Sequence, residues 1–282
     1  MHNDYIDALI EIAISEDIGD GDHTSEACIR DSAVGNAKLL IKEEGILAGI
    51  DIAERVFKKI DPGLRMTTYL KDGDKILPGD IAFEVNGRVV SILKSERIVL
   101  NFLQRMSGIA TRTSMYARKL EGLRTMILDT RKTTPGLRMI EKMAVKIGGG
   151  RNHRTGLYDM ILIKDNHIDF AGGIKNAIEN VRDYLLRIRK NLKIEIEVRS
   201  LDDVEKILEI GHVDRIMLDN FSTEKTRIAV KMIKGKYETE SSGNITLENI
   251  REYAECGVDY ISVGALTHQI NSLDMSLKAV EF

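Results

Sequence analysis

Met126-Ile-Leu-Asp-Thr-Arg-Lys132 is the first of six short apolar stretches that each end in polar residues. The other five are Met160-Ile-Leu-Ile-Lys-Asp-Asn166, Ile194-Glu-Ile-Glu-Val-Arg199, Ile216-Met-Leu-Asp-Asn220, Tyr237-Glu-Thr-Glu-Ser-Ser-Gly243 and Tyr260-Ile-Ser-Val-Gly264. Helical patterns lie between several of them, which is typical of repeated β/α units with a substrate site at the carboxyl ends of the strands. About 160 residues is short for an eight-unit barrel, which usually needs about 250. The sequence therefore predicts an incomplete α/β barrel.

The first hundred residues show a different pattern, in which short apolar stretches alternate with turn-forming sequences. Residues 37–41, 81–85 and 89–93 predict hairpin strands, separated by turns such as Leu-Pro-Gly-Asp and Val-Asn-Gly-Arg. Residues 51–60 place apolar side chains on one helical face, and residues 95–120 predict a longer helix. We expect an N-terminal α+β open-sheet domain over residues 1–106 and the barrel over residues 107–267. Residues 268–282 are expected to pack back on the N-terminal domain.

The N-terminal end predicts a helix followed by an acidic loop. Ile6, Ile10 and Ala13 recur at helical spacing, and turn-forming residues follow from Ser15. The acidic side chains of this loop, at positions 20 and 22, could bind a cation. The full EF-hand spacing is absent, so a solvated or capping loop is the favoured interpretation.

Composition limits the class of protein and its compartment. Hydrophobic residues make up 43% and charged residues 30%, as in ordinary globular proteins, and no apolar run approaches the roughly 20 residues of a membrane helix. The N-terminus lacks the basic cluster and apolar stretch of a secretory signal, so we expect a cytoplasmic protein with no membrane partner. Cys28 and Cys256 lack metal-ligand spacing, which favours buried reduced thiols over a disulfide or a zinc site.

The formal net charge of −3 hides a basic central segment. Residues 105–175 contain fourteen Lys and Arg against six Asp and Glu. The segment has few aromatic residues for stacking on bases and no recognisable nucleic-acid motif. Small anionic substrates are therefore expected as ligands, rather than nucleic acid.

Three cation-bearing segments are candidate site elements, and two of them, at residues 129–138 and at Lys164, directly follow predicted strands. Asp129-Thr-Arg-Lys-Thr-Thr-Pro-Gly-Leu-Arg138 carries Arg131, which can grip a carboxylate or phosphate with two hydrogen bonds, and Lys132, a mobile point charge. Gly148-Gly-Gly-Arg-Asn-His-Arg154 joins a glycine-rich turn to His153 and Arg154. Lys164 directly follows Ile-Leu-Ile. A bound anion would explain a lysine at this place, although it could also extend to solvent at the strand end.

Acids and small-residue loops end the later strands. Glu197 and Asp219 could hold a divalent cation or accept from ribose hydroxyls, with general acid–base work as the less attractive alternative. Ser241-Ser-Gly-Asn244 and Ser262-Val-Gly264 occupy the places where barrels bind phosphate, and a helix is expected to begin at Thr246. Each loop alone could be an ordinary turn, but together they indicate a monophosphate pocket.

In these features the chain closely resembles the quinolinate phosphoribosyltransferase family. The resemblance is carried by the 129–138 and 148–154 stretches and, in chain order, by Glu16-Asp-Ile-Gly-Asp-Gly-Asp-His-Thr-Ser25, Asn101-Phe-Leu-Gln-Arg-Met-Ser-Gly-Ile-Ala-Thr111, Leu162-Ile-Lys-Asp-Asn-His167, Leu218-Asp-Asn-Phe221, Ser241-Ser-Gly-Asn-Ile-Thr246 and Val263-Gly-Ala-Leu-Thr267. Because this collinear set spans nearly the whole chain, it is highly specific.

The resemblance implies an enzyme that joins quinolinate to the phosphoribosyl group of phosphoribosyl pyrophosphate, with Mg²⁺ as cofactor. The quinolinate pocket implied by it comprises Arg105, Arg131, His153, Arg154 and Lys164. The implied binding residues for phosphoribosyl pyrophosphate are Lys132, Glu197, Asp219, Ser242, Gly243, Gly264 and His268. Further substrate-binding residues, not assigned to either substrate, are Thr130, Asn244, Ser262 and Val263. Among these residues, the implied catalytic group is Lys132, Lys164, Glu197 and Asp219. Glu197 and Asp219 are also the metal candidates, with Mg²⁺ held mainly through the substrate.

The resemblance further implies a homodimer in which Arg105 crosses into the neighbouring subunit's site, and it leaves open whether three dimers form a hexamer. Two departures concern the phosphate loop, because Asn244 stands where relatives commonly have Gly and Arg199 follows the Glu197 strand. Two alternatives remain: a related phosphoribosyltransferase or pyrophosphorylase acting on another anionic acceptor, including proteins associated with molybdenum transport, and a catalytically silent phosphate-binding or assembly protein.

Overall fold

The computed structural model describes residues 2–280, which form two compact units. The first unit comprises the residues up to Ser114, Thr133–Gly149 and the residues from Ala265 onward. The second comprises Met115–Lys132 and Gly150–Gly264. The sequence-based division at Ser107 falls inside one long helix, Val89–Lys119, and the three-part division of the chain stays a prediction.

The helices and strands follow one another along the whole described chain. The helices are α1 (His2–Ile18), α2 (His23–Cys28), α3 (Ile50–Ile60), α4 (Val89–Lys119), α5 (Arg138–Ile147), α6 (Asp165–Ala171), α7 (Ile174–Ile188), α8 (Leu201–Ile210), α9 (Thr223–Ile233), α10 (Ile250–Ala254) and α11 (Ala265–His268). The strands are β1 (Val34–Ile41), β2 (Gly45–Ile46), β3 (Arg65–Thr68), β4 (Lys75–Ile76), β5 (Ile81–Arg88), β6 (Met126–Leu128), β7 (Ile161–Ile163), β8 (Ile194–Val198), β9 (Arg215–Asp219), β10 (Glu238–Ser242), β11 (Tyr260–Ser262) and β12 (Met275–Ala279). No helix between residues 2 and 280 has both the length and the apolar character that crossing a bilayer requires.

The first unit contains an antiparallel sheet in the order β12-β1-β5-β3 and a short β2-β4 pair. Ala37, Leu39 and Ile41 of β1 are buried, whereas the residues between them are more exposed, because successive side chains point to opposite faces of a sheet. Phe57 of α3 meets Phe83 of β5 edge to face, with ring centroids 5.8 Å apart. This is the predicted α+β sheet with a helical cover.

The predicted strand over residues 89–93 is wrong, because these residues begin α4. Ser91, Ile92 and Ser95 are buried while Leu93 is exposed, which is the spacing of a helix rather than of a strand. Val-Asn-Gly-Arg is also not a turn: β5 continues through it, and Asn86 pairs with Asn36 of β1.

The second unit contains a six-stranded parallel sheet in the order β6-β11-β10-β9-β8-β7. This is the order of a barrel that is open between its first and second strands, since β6 and β7 lie at opposite edges. Beyond β6, Leu128 makes an isolated parallel bridge with Arg151. The predicted incomplete α/β barrel is confirmed, and all six predicted strands are present.

Strand register puts the charged residues of this sheet on one face. Glu195 pairs with Arg215, Glu197 pairs with Met217, and two-residue spacing brings the alternate residues of every strand to the same side. We call this side the charged face. Its residues, from the amino to the carboxyl ends of the strands, are Glu195, Arg215 and Glu238, then Lys164, Glu197, Met217, Glu240 and Tyr260, then Asp219, Ser242 and Ser262.

Three smaller expectations can be compared with the structure. Asp22 is the N-cap of α2 and accepts from the Ser25 amide, which confirms a capping loop. Cys256 is buried, but Cys28 is exposed because it ends a short helix in which only Ser25 is buried, so its predicted burial is wrong. The helix expected at Thr246 begins instead at Ile250, after a turn.

Candidate active site

Lys164 and Glu197 meet at the carboxyl ends of β7 and β8. Lys164 Nζ lies 3.1 Å from Glu197 Oε2, and the two side chains are 46% and 10% exposed. The ion pair follows from register, since Leu162 pairs with Glu195 and both charged residues lie two positions further along. A half-exposed ammonium held in this way can bind an anion above the sheet.

Both ring nitrogens of His153 have close polar neighbours. Its Nδ1 accepts from the Arg154 amide at 2.7 Å, and its Nε2 lies 2.9 Å from Glu195 Oε2 and 3.6 Å from Glu240 Oε2. The His153 amide also donates to Asp129 Oδ1 at 2.9 Å. The imidazole is therefore fixed within the second unit, and its side chain is only 6% exposed.

Arg131 and Arg154 form a region of positive charge. Burial lowers the pKa of Arg154, and the neighbouring charge of Arg131 lowers it further. Two like charges repel unless an anion lies between or beside them. Arg131 and Lys132 are exposed, and Thr130 Oγ1 accepts from the Lys132 amide, which shapes the turn that carries both cations.

The loops after β9 and β10 are joined by asparagine side chains. Asn220 donates to Asp219, and Asn244 donates to Asn220 at 3.0 Å. Asn220 and Asn244 both have φ angles in the left-handed region, 55° and 52°, which asparagine tolerates better than other residues with a side chain. Asn244 thus fits a position where glycine would be expected. Gly243 has φ of 88°, and an added Cβ would collide with the Asn220 side chain.

The last strand ends among buried groups. Ser262 and Val263 are buried, and the Val263 amide donates to the Leu128 carbonyl, which ties β11 to β6. Ser242 and Gly264 are more accessible. The second departure, Arg199, is engaged away from the phosphate loop, because its guanidinium pairs with Asp165 and Asp169 at 3.3 Å.

Two of the predicted site residues lie in the first unit. Arg105 donates through Nε and Nη2 to Glu141, which is fully buried, and through Nη2 to Thr134 Oγ1 at 2.6 Å. The Thr134 amide also donates to Glu141. Glu141 therefore fixes the direction of the Arg105 guanidinium. His268 is exposed at the end of α11.

Sequence reasoning missed a group of charges buried on the charged face. Arg215 donates to Glu240 at 2.9 Å and to Glu238 at 3.1 Å, and its guanidinium stacks on the Tyr260 ring at 4.1 Å. Glu195 and Glu240 are fully buried. The sequence did contain a signal for these buried charges. Acids alternate with other residues in Ile194-Glu-Ile-Glu-Val198 and in Glu238-Thr-Glu240, which gives each strand two acids on the same side.

This buried group has altered acidities. Burial raises the pKa of Glu195 and of Glu240 to about 7 each, and in Glu240 the charge of Glu195 adds to the effect. Burial works against the charged form of Arg215, but Glu195, Glu240 and Glu238 raise its pKa overall. Glu195, Glu240 and His153 bring metal-ligand atoms within 4.8 Å of one another, and no other such cluster occurs within residues 2–280.

The chain is similar to known proteins over nearly its whole length. Residues 22–107 match the family model of the quinolinate phosphoribosyl transferase N-terminal domain, and residues 109–278 match that of the C-terminal domain. Quinolinate phosphoribosyltransferase (decarboxylating) 1b of Nicotiana tabacum is 46% identical, over 96% of this chain and 81% of the relative. The probable nicotinate-nucleotide pyrophosphorylase (carboxylating) of Bacillus subtilis is 40% identical, over 98% and 94%. The crystal structure of NadC from Streptococcus pyogenes is similar with a TM-score of 0.93 at 40% identity, over 98% and 97% of the two chains.

Proposed function

This chain belongs to the quinolinate phosphoribosyl transferase family, and we propose that it transfers the phosphoribosyl group of phosphoribosyl pyrophosphate to quinolinate. Decarboxylation of the adduct then gives nicotinate mononucleotide, with release of pyrophosphate and carbon dioxide, as a step of NAD biosynthesis. The observation that carries the proposal is the gathering of cations at the carboxyl ends of the parallel strands. A substrate pair that together carries two carboxylates, a phosphate and a diphosphate requires such a surface.

The acceptor subsite is assigned to Arg131, Arg154 and Lys164, with His153 beside them. Quinolinate carries two carboxylates, and an arginine can bind each with two parallel hydrogen bonds. The lowered pKa of Arg154 supports the assignment, because burial beside another cation is unfavourable until an anion is bound. A neutral acceptor would offer these cations no carboxylate to bind.

The donor subsite is assigned to Lys132, Glu197, Asp219 and the two small-residue loops. Thr130 and Lys132 would contact phosphate oxygens from the turn after β6. Glu197 and Asp219 suit ribose hydroxyls, and the 5′-phosphate is assigned to Ser242, Gly243, Asn244, Ser262, Val263 and Gly264, with His268 as a further contact. Left-handed backbone at positions 243 and 244 supports the phosphate assignment, because it permits a tight loop with exposed amides.

Mg²⁺ is the cofactor we assign to this reaction. Glu197 and Asp219 end neighbouring parallel strands on the same face, and carboxylate oxygens are suitable donors for this ion. One Glu197 oxygen is already paired with Lys164, so the protein is expected to hold Mg²⁺ in part indirectly, through the substrate's phosphates. When bound, the ion would neutralise charge on the departing pyrophosphate.

The protein's contribution to the chemistry is alignment and charge stabilisation. The pyridine nitrogen attacks the anomeric carbon as pyrophosphate leaves, so no serine or cysteine nucleophile is needed. The carboxylates of Glu197 and Asp219 would stabilise positive charge on the ribose ring. The positive pyridinium nitrogen then stabilises the electron pair left on the neighbouring ring carbon when its carboxylate departs as carbon dioxide. That carbon takes a proton from solvent, and no prosthetic group is required.

We also propose a cytoplasmic homodimer with shared active sites, with assembly of three dimers as a further option. Arg105 would reach the partner subunit's quinolinate. The support for this role of Arg105 is its interaction with Glu141, which engages Nε and Nη2 and leaves Nη1 available for a carboxylate.

Product analysis tests the function directly. Purified protein with Mg²⁺ and phosphoribosyl pyrophosphate is incubated with quinolinate, with nicotinate or with no acceptor, and mononucleotide and carbon dioxide are measured. We expect turnover with quinolinate only. Equal turnover of nicotinate would favour a related enzyme with another acceptor, and no turnover with either would favour a silent phosphate-binding protein.

The metal assignment is tested with Asp219→Asn. Loss of the carboxylate should raise the Mg²⁺ and phosphoribosyl pyrophosphate concentrations needed for half-maximal rate by about tenfold, the size of one charged contact. Asp202→Asn, an exposed change on α8, is the matched control. Normal kinetics of Asp219→Asn across a Mg²⁺ titration would remove Asp219 from the donor subsite.

The shared site is tested by mixing two inactive variants. In an isologous dimer, combining Arg105→Ala with Lys164→Ala subunits produces one site with both residues intact and one site with neither. Recovery of activity in verified heterodimers is the expected result. Absence of recovery would show that Arg105 serves its own subunit or only the fold.

A further inference from the structure

Glu195 and Glu240 are buried beneath the site, and the proposed reaction gives them no role. Both side chains are fully buried, and neither oxygen of Glu195 nor Oε1 of Glu240 has a hydrogen-bond partner, although Glu195 Oε2 lies 2.9 Å from His153 Nε2. Burying a carboxylate costs free energy unless its charge is compensated. Their neighbour His153 belongs to the assigned acceptor subsite.

The contacts of His153 decide what this cluster can bind. Nδ1 accepts the Arg154 amide proton, so Nδ1 carries no proton of its own. The ring can then bear its proton only on Nε2, the nitrogen that faces Glu195 and Glu240. A metal ion at Nε2 would require both ring nitrogens to be unprotonated. The cluster is therefore suited to accept an N–H, and unsuited to a metal ion.

Compensating charge comes from two cations, Arg215 and Arg154. Arg215 binds Glu240 from β9, and Arg154 lies close enough to lower the pKa of Glu195. Ser262 contacts Glu240 from β11, and Glu238 takes the other side of the Arg215 guanidinium. These contacts orient the carboxylates of Glu195 and Glu240 toward His153.

Fixing the His153 tautomer has a consequence for Arg154. Only with the proton on Nε2 does Nδ1 keep a lone pair for the Arg154 amide. The Asp129 carboxylate holds the preceding amide in the same way, so two hydrogen bonds set the backbone that carries the Arg154 guanidinium. Loss of the acceptor at Nε2 would release one of them.

We propose that Glu195, supported by Glu240, is a positioning residue for the acceptor: its carboxylate, 2.9 Å from His153 Nε2, keeps the proton on that nitrogen and thereby fixes the tautomer that holds Arg154 in place. This inference rests on the proposed function and extends it to residues that do not touch the substrate. Glu195 should therefore affect binding of the acceptor, quinolinate. Binding of the donor, phosphoribosyl pyrophosphate, depends on other residues.

The first test measures the tautomer without substrate. Nitrogen-15 NMR of protein labelled at its six histidines distinguishes protonated from unprotonated ring nitrogens, and His153→Gln assigns the His153 signals. We expect an unprotonated Nδ1 and a protonated Nε2 in the wild type and in Glu195→Gln, whose amide oxygen can still accept. Glu195→Ala should lose this fixed state, and the exposed Glu209→Ala should keep it.

The second test separates the two substrates. Glu195→Ala should raise the KM for quinolinate about tenfold, the effect of one lost hydrogen bond to a charged group, and leave the KM for phosphoribosyl pyrophosphate within about twofold. Glu195→Gln should recover most of the loss. Equal changes in both KM values would indicate a general loosening of the fold and overturn the proposal.

If Glu195→Ala fails to fold, two other measurements can still overturn the proposal. A proton on His153 Nδ1 would do so, as would one equivalent of metal found by elemental analysis in wild type and lost in Glu195→Gln. Failure of the proposed function is recognised separately, because wild-type protein would then show the expected tautomer but form no nicotinate mononucleotide.

Discussion

The antiparallel sheet turns Ala37, Leu39 and Ile41 of β1 to its buried side, whereas alternate positions of β8 in the parallel sheet carry Glu195 and Glu197. Both strands are regular, and both sets of side chains are inaccessible or nearly so. Apolar burial stabilises the fold, but a buried ion pair is often no better for stability than well-packed apolar side chains. The difference teaches that the second sheet uses buried positions to hold charged groups, whereas the first uses them for apolar packing.

Removing the central cation of the charged face should have the largest effect. Arg215→Met removes the guanidinium that pairs with Glu238 and Glu240, and breaking a buried pair in this way costs about 3–5 kcal/mol in the free energy of unfolding. Urea denaturation measures the loss. The control is Arg199→Met, whose half-exposed ion pairs should contribute at most about 1 kcal/mol. Equal losses would contradict the distinction between the buried and the surface pairs.

A cavity in the antiparallel sheet should cost stability without changing the chemistry. Leu39 is fully buried, and Leu39→Ala should lower the free energy of unfolding by about 2–5 kcal/mol. Because the assigned subsites lie mainly on the charged face, kcat and both KM values of the folded variant should stay within about twofold of wild type. A large change in KM would show that the two sheets do not differ as described.

The pH dependence of stability should come in part from Glu240. Its folded-state pKa of about 7 lies above the ordinary value of 4.5, so the folded protein holds more protons than the unfolded chain between these values. Stability from this group is therefore full below pH 4.5 and is lost as pH rises through 7, by at most about 1.4 kcal/mol per pH unit. Urea denaturation at pH 5, 6, 7 and 8 should show a smaller decline in Glu240→Gln. If the free energy of unfolding fell equally with pH in the wild type and in Glu240→Gln, the raised pKa would not belong to Glu240.

Asp61 in the first unit should make the protein more stable as pH rises, which is opposite to the effect of Glu240. This is also the smallest of the predicted changes in the free energy of unfolding. Ser91, the Gly63 amide and Arg88 donate to its carboxylate and lower its pKa to about 2. A depressed pKa stabilises the fold above the unfolded value of 3.8, and this contribution disappears as pH falls through 2. Asp61→Asn should lose about 1 kcal/mol at pH 7 and less at pH 3, measured by urea denaturation. A loss that is larger at pH 3 would reverse the sign and contradict the prediction.

The sequence predicts the parallel sheet well because its signals are local. Each strand is a short apolar run followed by polar residues, and Lys164, Glu197 and Asp219 could be placed at strand ends before any contact was known. Residues 89–93 were misread because a run of five apolar and small residues fits both a strand and the first turn of a helix. The helix is favoured here because the pattern of buried residues continues into α4.

Pairings distant in the sequence could not be predicted. Glu141 binds Arg105 from 36 residues away, and nothing local to either residue indicates this partner. The Arg215–Glu240 pair is an intermediate case, since alternation puts both residues on one face but only strand order makes them neighbours. The roles of the site residues and of Mg²⁺ stay predictions until the kinetic tests are done.

The strand order has a consequence for how the chain folds as it is synthesised. β1 lies between β5 and β12, and β6 pairs with β11, so each sheet needs a strand that is synthesised long after the strand it pairs with. Until residues 275–279 leave the ribosome, β1 presents an unpaired edge, which is the kind of surface that recruits other chains into aggregates. Removing β12 by a stop codon before Met275 would make that temporary hazard permanent.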